Sequence, residues 1–238
     1  MTKKLTPVRL SLDNTFDVIV GTSEPHKQKR FTLHTNLLIP RSGFFKAARS
    51  AVWNTDPLKP ALLDDDDPEV FENYMRCVYS GDLDPHPYDS SDGSNSIDDG
   101  HLDALSKIWV LADKLIDLQT ANMNMDEIYN YCNKMEDFAR NSSFNLVYDS
   151  TVSDSPLRMF MRDTVIYNHH GIVGFFEHED PSDYHVEFYR DIAVRLMCIT
   201  NENRKSSRTF KGIFSGGVPS HMPPSNHYHL HGPAPSSK

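Results

Sequence analysis

Four consecutive carboxylates, Asp64 to Asp67, form the densest cluster of reactive side chains in this chain. Hard cations want grouped oxygen ligands, so the run could hold a divalent ion. An EF-hand loop, however, needs spaced ligands, a central Gly and a distal Glu, which are missing here. The favoured reading is a strand end followed by a helix cap, with Asp67 as the cap and Pro68 as the first helical residue. Asn226-His227-Tyr228-His229-Leu230-His231 sets imidazoles at alternate positions. An extended chain would point them to one side, where they could take up a transition metal adventitiously. His169, His170 and His178 stand among Glu177, Glu179 and Asp180 without the His-Glu-x-x-His spacing of a helical zinc site, and read as a polar loop. Asp17 and His34 lie on neighbouring strands and could meet as an acid–base pair, but no nucleophile or orienting partner accompanies them. There is no Gly-rich phosphate loop and no Gly-x-Ser-x-Gly elbow. The reading is therefore no enzyme, no cofactor and no metal. Cys77, Cys132 and Cys198 are odd in number, far apart and set on helical patterns, so they read as reduced core thiols.

The elements that carry these residues change period along the first half. Phe16 to Gly21 is short, β-branched and closed by Gly, and Arg30 to His34 alternates polar with apolar, so the two read as a hairpin across a charged turn, Thr22 to Lys29. Thr35 and Ser42 are each expected to cap a short helix, one carrying Leu37 and Leu38, the other Phe44 and Phe45. Ala61-Leu62-Leu63 reads as a third strand. From Asp67 a helix carries Phe71, Tyr74, Met75, Val78 and Tyr79 on one stripe, and Gly81 falls just past its end as a left-handed terminator.

These residues carry a resemblance. Phe16-Asp17-Val18-Ile19-Val20, Phe31-x-Leu33-His34 with Leu37-Leu38, Arg41-Ser42-x-Phe44-Phe45, Asp67-Pro68-Glu69-Val70-Phe71, Tyr79-Ser80-Gly81 and Leu111-Ala112-Asp113-Lys114-Leu115 resemble the successive blocks of a BTB/POZ domain. They look most like those of single-domain fungal members and cover roughly the first half of the chain. The resemblance implies an α+β fold of the BTB/POZ type, a small β-sheet packed against a cluster of short helices, followed by a helical extension and a disordered tail. In that family Asp17, His34, Ser42, Phe45, Pro68, Phe71, Tyr79 and Gly81 would be structural signature positions.

The expected organisation is an N-terminal arm over 1–15 and the BTB/POZ domain over 16–120, with an acidic, mobile, low-complexity insert at 84–100. A helical extension over 121–200 and a disordered basic tail over 201–238, rich in His, Pro, Gly and Ser, follow. Apolar stripes place Leu102, Leu105, Ile108, Trp109, Ala112 and Leu115 on one helix and Met125, Ile128, Cys132 and Met135 on the next. Ser155-Pro156 restarts the helical pattern with Leu157, Phe160, Met161 and Val165. Tyr189, Ile192, Ala193, Leu196 and Met197 form a last amphipathic stretch. No apolar run follows Lys3 and Lys4, and the stretch near Ile192 is interrupted by Arg195, so an intracellular protein of cytoplasm or nucleus is expected, with no membrane partner. The net charge of −9 weighs against a broad nucleic-acid footprint.

The resemblance further implies a non-catalytic adaptor or scaffold that forms homodimers or heterodimers. In many members such a module joins a cullin-type ubiquitin ligase to a substrate. Adaptor members often carry an apolar residue followed two positions later by Glu after the second short helix; here Trp53-Asn54-Thr55 stands there and the Glu is missing. Val52, Trp53, Asn54 and Thr55 are the candidate partner-binding residues, Trp53 foremost. The alternative reading is a DNA-associated regulator that dimerises through the module and touches phosphate with Arg204, Lys205, Arg208 and Lys211.

Overall fold

The computed structural model describes residues 14–22, 24, 27–50, 59–81, 99–134, 141–167, 175–177, 180–206 and 222–232. In chain order they form β1 (Thr15–Val20), β2 (Lys29–His34), α1 (Thr35–Leu38), α2 (Gly43–Ala48), β3 (Ala61–Leu63), α3 (Pro68–Ser80), α4 (Asp99–Lys114), α5 (Leu118–Lys134), α6 (Asn141–Ser150), α7 (Pro156–Tyr167) and α8 (Val186–Ser206). Short 3-10 turns lie at Pro181–Asp183 and Ser225–Tyr228. The fold class is mixed α+β. Among the described residues, no helix is long and apolar enough to cross a membrane. The chain divides into two units, one of residues 1–89, 107–124 and 230–238, the other of residues 90–106 and 125–229.

In the first unit β1 is the central strand of a three-stranded sheet ordered β2-β1-β3. It pairs antiparallel with β2, setting Phe16 opposite Leu33 and Val18 opposite Phe31, and parallel with β3, setting Val18 beside Ala61. Alternation along β1 buries Phe16, Val18 and Val20 on one face. Against that face lie the buried rings of Phe45 and Phe71. Phe16 meets Phe45 edge-on at 5.5 Å between ring centres, and Phe31 meets Phe71 at 4.9 Å.

Helix ends follow local chemistry. Asp67 accepts the Glu69 amide at 2.8 Å, Pro68 opens α3, and Gly81 closes it at φ 72 with its amide bonded to the Cys77 carbonyl. Ser42 accepts the Phe45 amide at 3.1 Å at the start of α2. Thr35, expected as a cap, is instead the first residue of α1; the capping position is His34, which makes no side-chain cap bond. Its extended backbone continues β2 directly into the helix, leaving no separate capping residue.

The second unit is helical, with α6, α7 and α8 packed on one another. Leu157, Phe160, Met161 and Val165 on α7 are buried, as their spacing predicts. A cluster of rings joins them: Phe144 lies 4.7 Å from Phe188, and Phe175 lies 5.1 Å from Tyr184. On α8 the inward stripe differs from the expected one. Phe188, Ile192 and Ile199 are buried, whereas Ala193 and Met197 are exposed. The aromatic cluster attracts Phe188 and so turns the helix, leaving Val194 and Met197 outside. Cys77 is buried, but Cys198 is exposed, which corrects its reading as a core thiol. Cys132 is half-buried, and burial of its thiol pushes the pKa up to about 12.

The C-terminal part departs from a continuous disordered tail. Helix α8 runs on to Ser206, and residues 222–232 follow a defined path with Tyr228 fully buried. A single aromatic anchor in a polar segment is invisible to compositional reasoning, which averages it away.

Candidate functional site

Of the partner-binding candidates, Val52, Trp53, Asn54 and Thr55 all lie outside the described residues. So do His169, His170, His178, Glu179, Met135 and residues 84–98 of the acidic insert, while α4 begins at Asp99.

Asp17 and His34 do not pair. The register puts Thr32 opposite Asp17 and Thr15 opposite His34. Asp17 accepts the Thr32 hydroxyl at 2.7 Å and an Arg30 guanidinium N–H at 3.2 Å. His34 is 2.8 Å through Nδ1 from the Tyr79 hydroxyl, and its amide donates to the same oxygen. Each group is thus engaged in tying neighbouring elements together, Asp17 across the hairpin and His34 to the end of α3. Ser42, Phe45 and Phe71 are buried, and Pro68 and Gly81 bound α3.

A dense polar network lies where α4 turns into α5. Helix α4 ends with a double closure: the Ile116 amide donates to the Asp113 carbonyl and the Asp117 amide to the Ala112 carbonyl, both at 2.9 Å. This is the hydrogen-bond pattern that puts a left-handed residue after a helix, usually Gly. Here the left-handed residue is Ile116, at φ 55. The carbonyls left over are taken by α2: the Gly43 amide donates to Ile116 at 3.1 Å, and the Phe44 amide and Ser42 hydroxyl donate to Leu115. One residue on, Asp117 caps α5. It accepts the Thr120 amide at 3.0 Å and the Thr120 hydroxyl at 2.7 Å, and it also takes the Tyr74 hydroxyl at 3.0 Å and the Arg41 guanidinium at 3.4 Å. Arg41 reaches Thr120 as well, at 2.8 Å. Asp117 is wholly buried and Arg41 nearly so. Burial, then the neighbouring Asp117 charge, holds the Tyr74 phenol well above its ordinary pKa, so it remains a donor. This network fastens four elements and presents no free acid or base.

Ile116 is 57% exposed. A β-branched residue in the left-handed region costs about 1–2 kcal/mol and here gains little burial in return. Replacing Ile116 with Gly is therefore expected to raise stability by up to about 1 kcal/mol, after the entropy cost of Gly is subtracted. The same change should alter the response at Gly43, because a Cβ added there would meet Ile116 Cβ and Cγ2 at 3.0 Å. Gly43→Ala should destabilise the native chain but become neutral or favourable beside Ile116→Gly. A thermal double-mutant cycle reads the coupling, and additive effects would refute it.

On the same unit a cleft of about 680 Å³ opens between the hairpin turn and the β3–α3 turn, lined by Gly21, Lys27, Lys29, Asp64 to Asp67, Glu69 and Glu72 among others. Its carboxylates are partly spoken for. Lys29 bonds Glu72 at 2.5 Å, Lys114 holds both oxygens of Asp66 at 2.9 Å, and Asp67 caps α3. The hydrogen bonds from Lys29 and Arg76 hold Glu72 below its usual range. Among the described residues no group of three or more His, Cys, Asp or Glu side chains could hold a metal ion. In the C-terminal segment, Ser225–Tyr228 winds into a 3-10 turn rather than an extended strand, and His229 bonds Asp126 at 2.9 Å. The imidazoles of the alternating motif are thereby given different environments.

Among the described residues of the first unit, the large exposed apolar side chains include Leu62, Tyr79 and Ile116. No family model, curated protein or solved structure matches this chain.

Proposed function

We propose that this chain is a non-catalytic protein-interaction module of BTB/POZ type, acting as an adaptor or scaffold. The observation that supports it is the sheet: β3 runs parallel to β1, the two short helices α1 and α2 fall between β2 and β3, and α3 follows at once. The sequence blocks that resemble the family thus sit on successive elements of one unit, with Asp17, His34, Ser42 and Tyr79 engaged in contacts between them. Partner binding would bury apolar side chains such as Leu62, Tyr79 and Ile116, with Trp53 as the expected anchor. A cullin-type scaffold and a second copy of the chain are the partners that the resemblance suggests.

The test is affinity purification of the tagged full-length chain from its native host, beside Trp53→Ala. Proteins retained by the native chain and reduced on the order of 10-fold or more by the substitution are expected, as for loss of an interface anchor. Retention of no protein, together with DNA binding that weakens steeply with added salt, would replace this reading with the DNA-associated one.

A further inference from the structure

Tyr228 is fully buried although the residues around it are not: Pro224, Asn226, His227, His231 and Gly232 are exposed. Its ring stands edge-on to Phe160 of α7 at 5.4 Å between centres. Its hydroxyl donates to Asp163 Oδ2 at 2.9 Å. That carboxylate is itself buried and held independently of the tyrosine, since Arg162 donates to Oδ1 at 2.7 Å and Arg195 of α8 stands 3.9 Å away. The acceptor is therefore in place whether or not a phenol occupies the pocket. One residue on, His229 Nε2 lies 2.9 Å from Asp126 of α5. One buried aromatic anchor in a preformed pocket, a flanking polar contact and exposed residues beside the anchor, Asn226 and His227, make the anatomy of a docked peptide.

We propose that this pocket of the second unit is a peptide-docking site, occupied in this structure by the chain's own segment 222–229. Its partner is a protein segment that presents a tyrosine to Asp163 and a histidine to Asp126. The proposal concerns the second unit and does not rest on the BTB/POZ reading. A segment tethered nearby competes at an effective concentration on the order of millimolar, so a modest intrinsic affinity suffices to keep the pocket filled. A partner must outcompete that local concentration, which makes the segment an inhibitor of its own docking site.

The experiment uses the full-length chain with a specific protease site placed at Gly216-Gly217, cut after folding. The probe is a fluorescent synthetic peptide spanning Met222 to Gly232, followed by anisotropy. The uncut chain should show no saturable binding. The cut chain, after gel filtration, should retain its helical circular dichroism and bind the peptide saturably, with unlabelled peptide competing. A peptide carrying Tyr228→Phe should bind about 10-fold to 100-fold more weakly, the effect expected for losing a hydrogen bond to a charged group. The proposal is overturned if the cut fragment never exchanges, or if helical signal is lost as it leaves, because the segment is then a permanent part of the fold. Equal affinity of the Tyr and Phe peptides would also overturn it. A dimer of the uncut chain that free peptide dissociates would make a second copy the occupant and overturn the assignment to another protein.

Discussion

Asp117→Ala is expected to destabilise the chain by about 3–5 kcal/mol, the cost of breaking a buried ion pair and leaving its partner uncompensated. The substitution removes the acceptor for Arg41, the Tyr74 hydroxyl, the Thr120 hydroxyl and the Thr120 amide together. Arg41 keeps one bond, to Thr120, and cannot swing into water without leaving its nearly buried position. Since whole domains are stable by only about 5–15 kcal/mol, the variant should lose a large share of its reserve. Asp117→Asn is the informative companion. It retains an oxygen for the Thr120 amide but no charge for Arg41, so its loss should be smaller. Urea unfolding followed by circular dichroism gives both values. A loss under about 1 kcal/mol for the alanine variant would mean that the network is satisfied another way.

The second large effect belongs to Gly21. At φ 97 it lies where side chains are disfavoured, and a Cβ there would sit 2.0 Å from the Lys27 carbonyl oxygen and 3.1 Å from the Pro68 ring. The obstacle is backbone, so no rotamer change relieves it. The same residue donates its amide to the Leu63 carbonyl at 3.0 Å, joining the end of β1 to the end of β3. Gly21→Ala must therefore push the hairpin turn away or give up that bond, and a loss of about 3 kcal/mol is expected from backbone strain plus the displaced contact. A melting temperature within experimental error of the native chain would show that the turn moves freely, contrary to this expectation.

Gly21 was legible only as the end of a strand, whereas Gly81 was legible because Gly just past an amphipathic helix signals a left-handed position. Ile116 occupies the same kind of position at the end of α4 and was not legible, since nothing in its side chain favours that conformation. The hairpin, the third strand and the buried stripes of α4 and α7 followed from period alone. The inward face of α8 did not, because its rotation is decided by the ring cluster of Phe144, Phe175 and Tyr184, whose members are far apart in the chain. The buried carboxylates Asp117 and Asp163 escaped for a related reason. An aspartate reads as surface from sequence, and only its assembled partners Arg41 and Tyr74, or Arg162 and Tyr228, make its burial affordable. Asp17 and His34 were correctly placed on neighbouring strands, but a two-residue difference in register gave each a separate partner.

The parallel pairing of β1 with β3 bears on how the chain is made. A hairpin of β1 and β2 can close from residues near one another as soon as both have left the ribosome. The third strand cannot join until the two short helices between have been synthesised and the intervening loop has closed, a slower step because distant residues must meet first. Until then one edge of β1 stays open in the nascent chain, and that edge is where a chaperone or a neighbouring nascent chain would take hold.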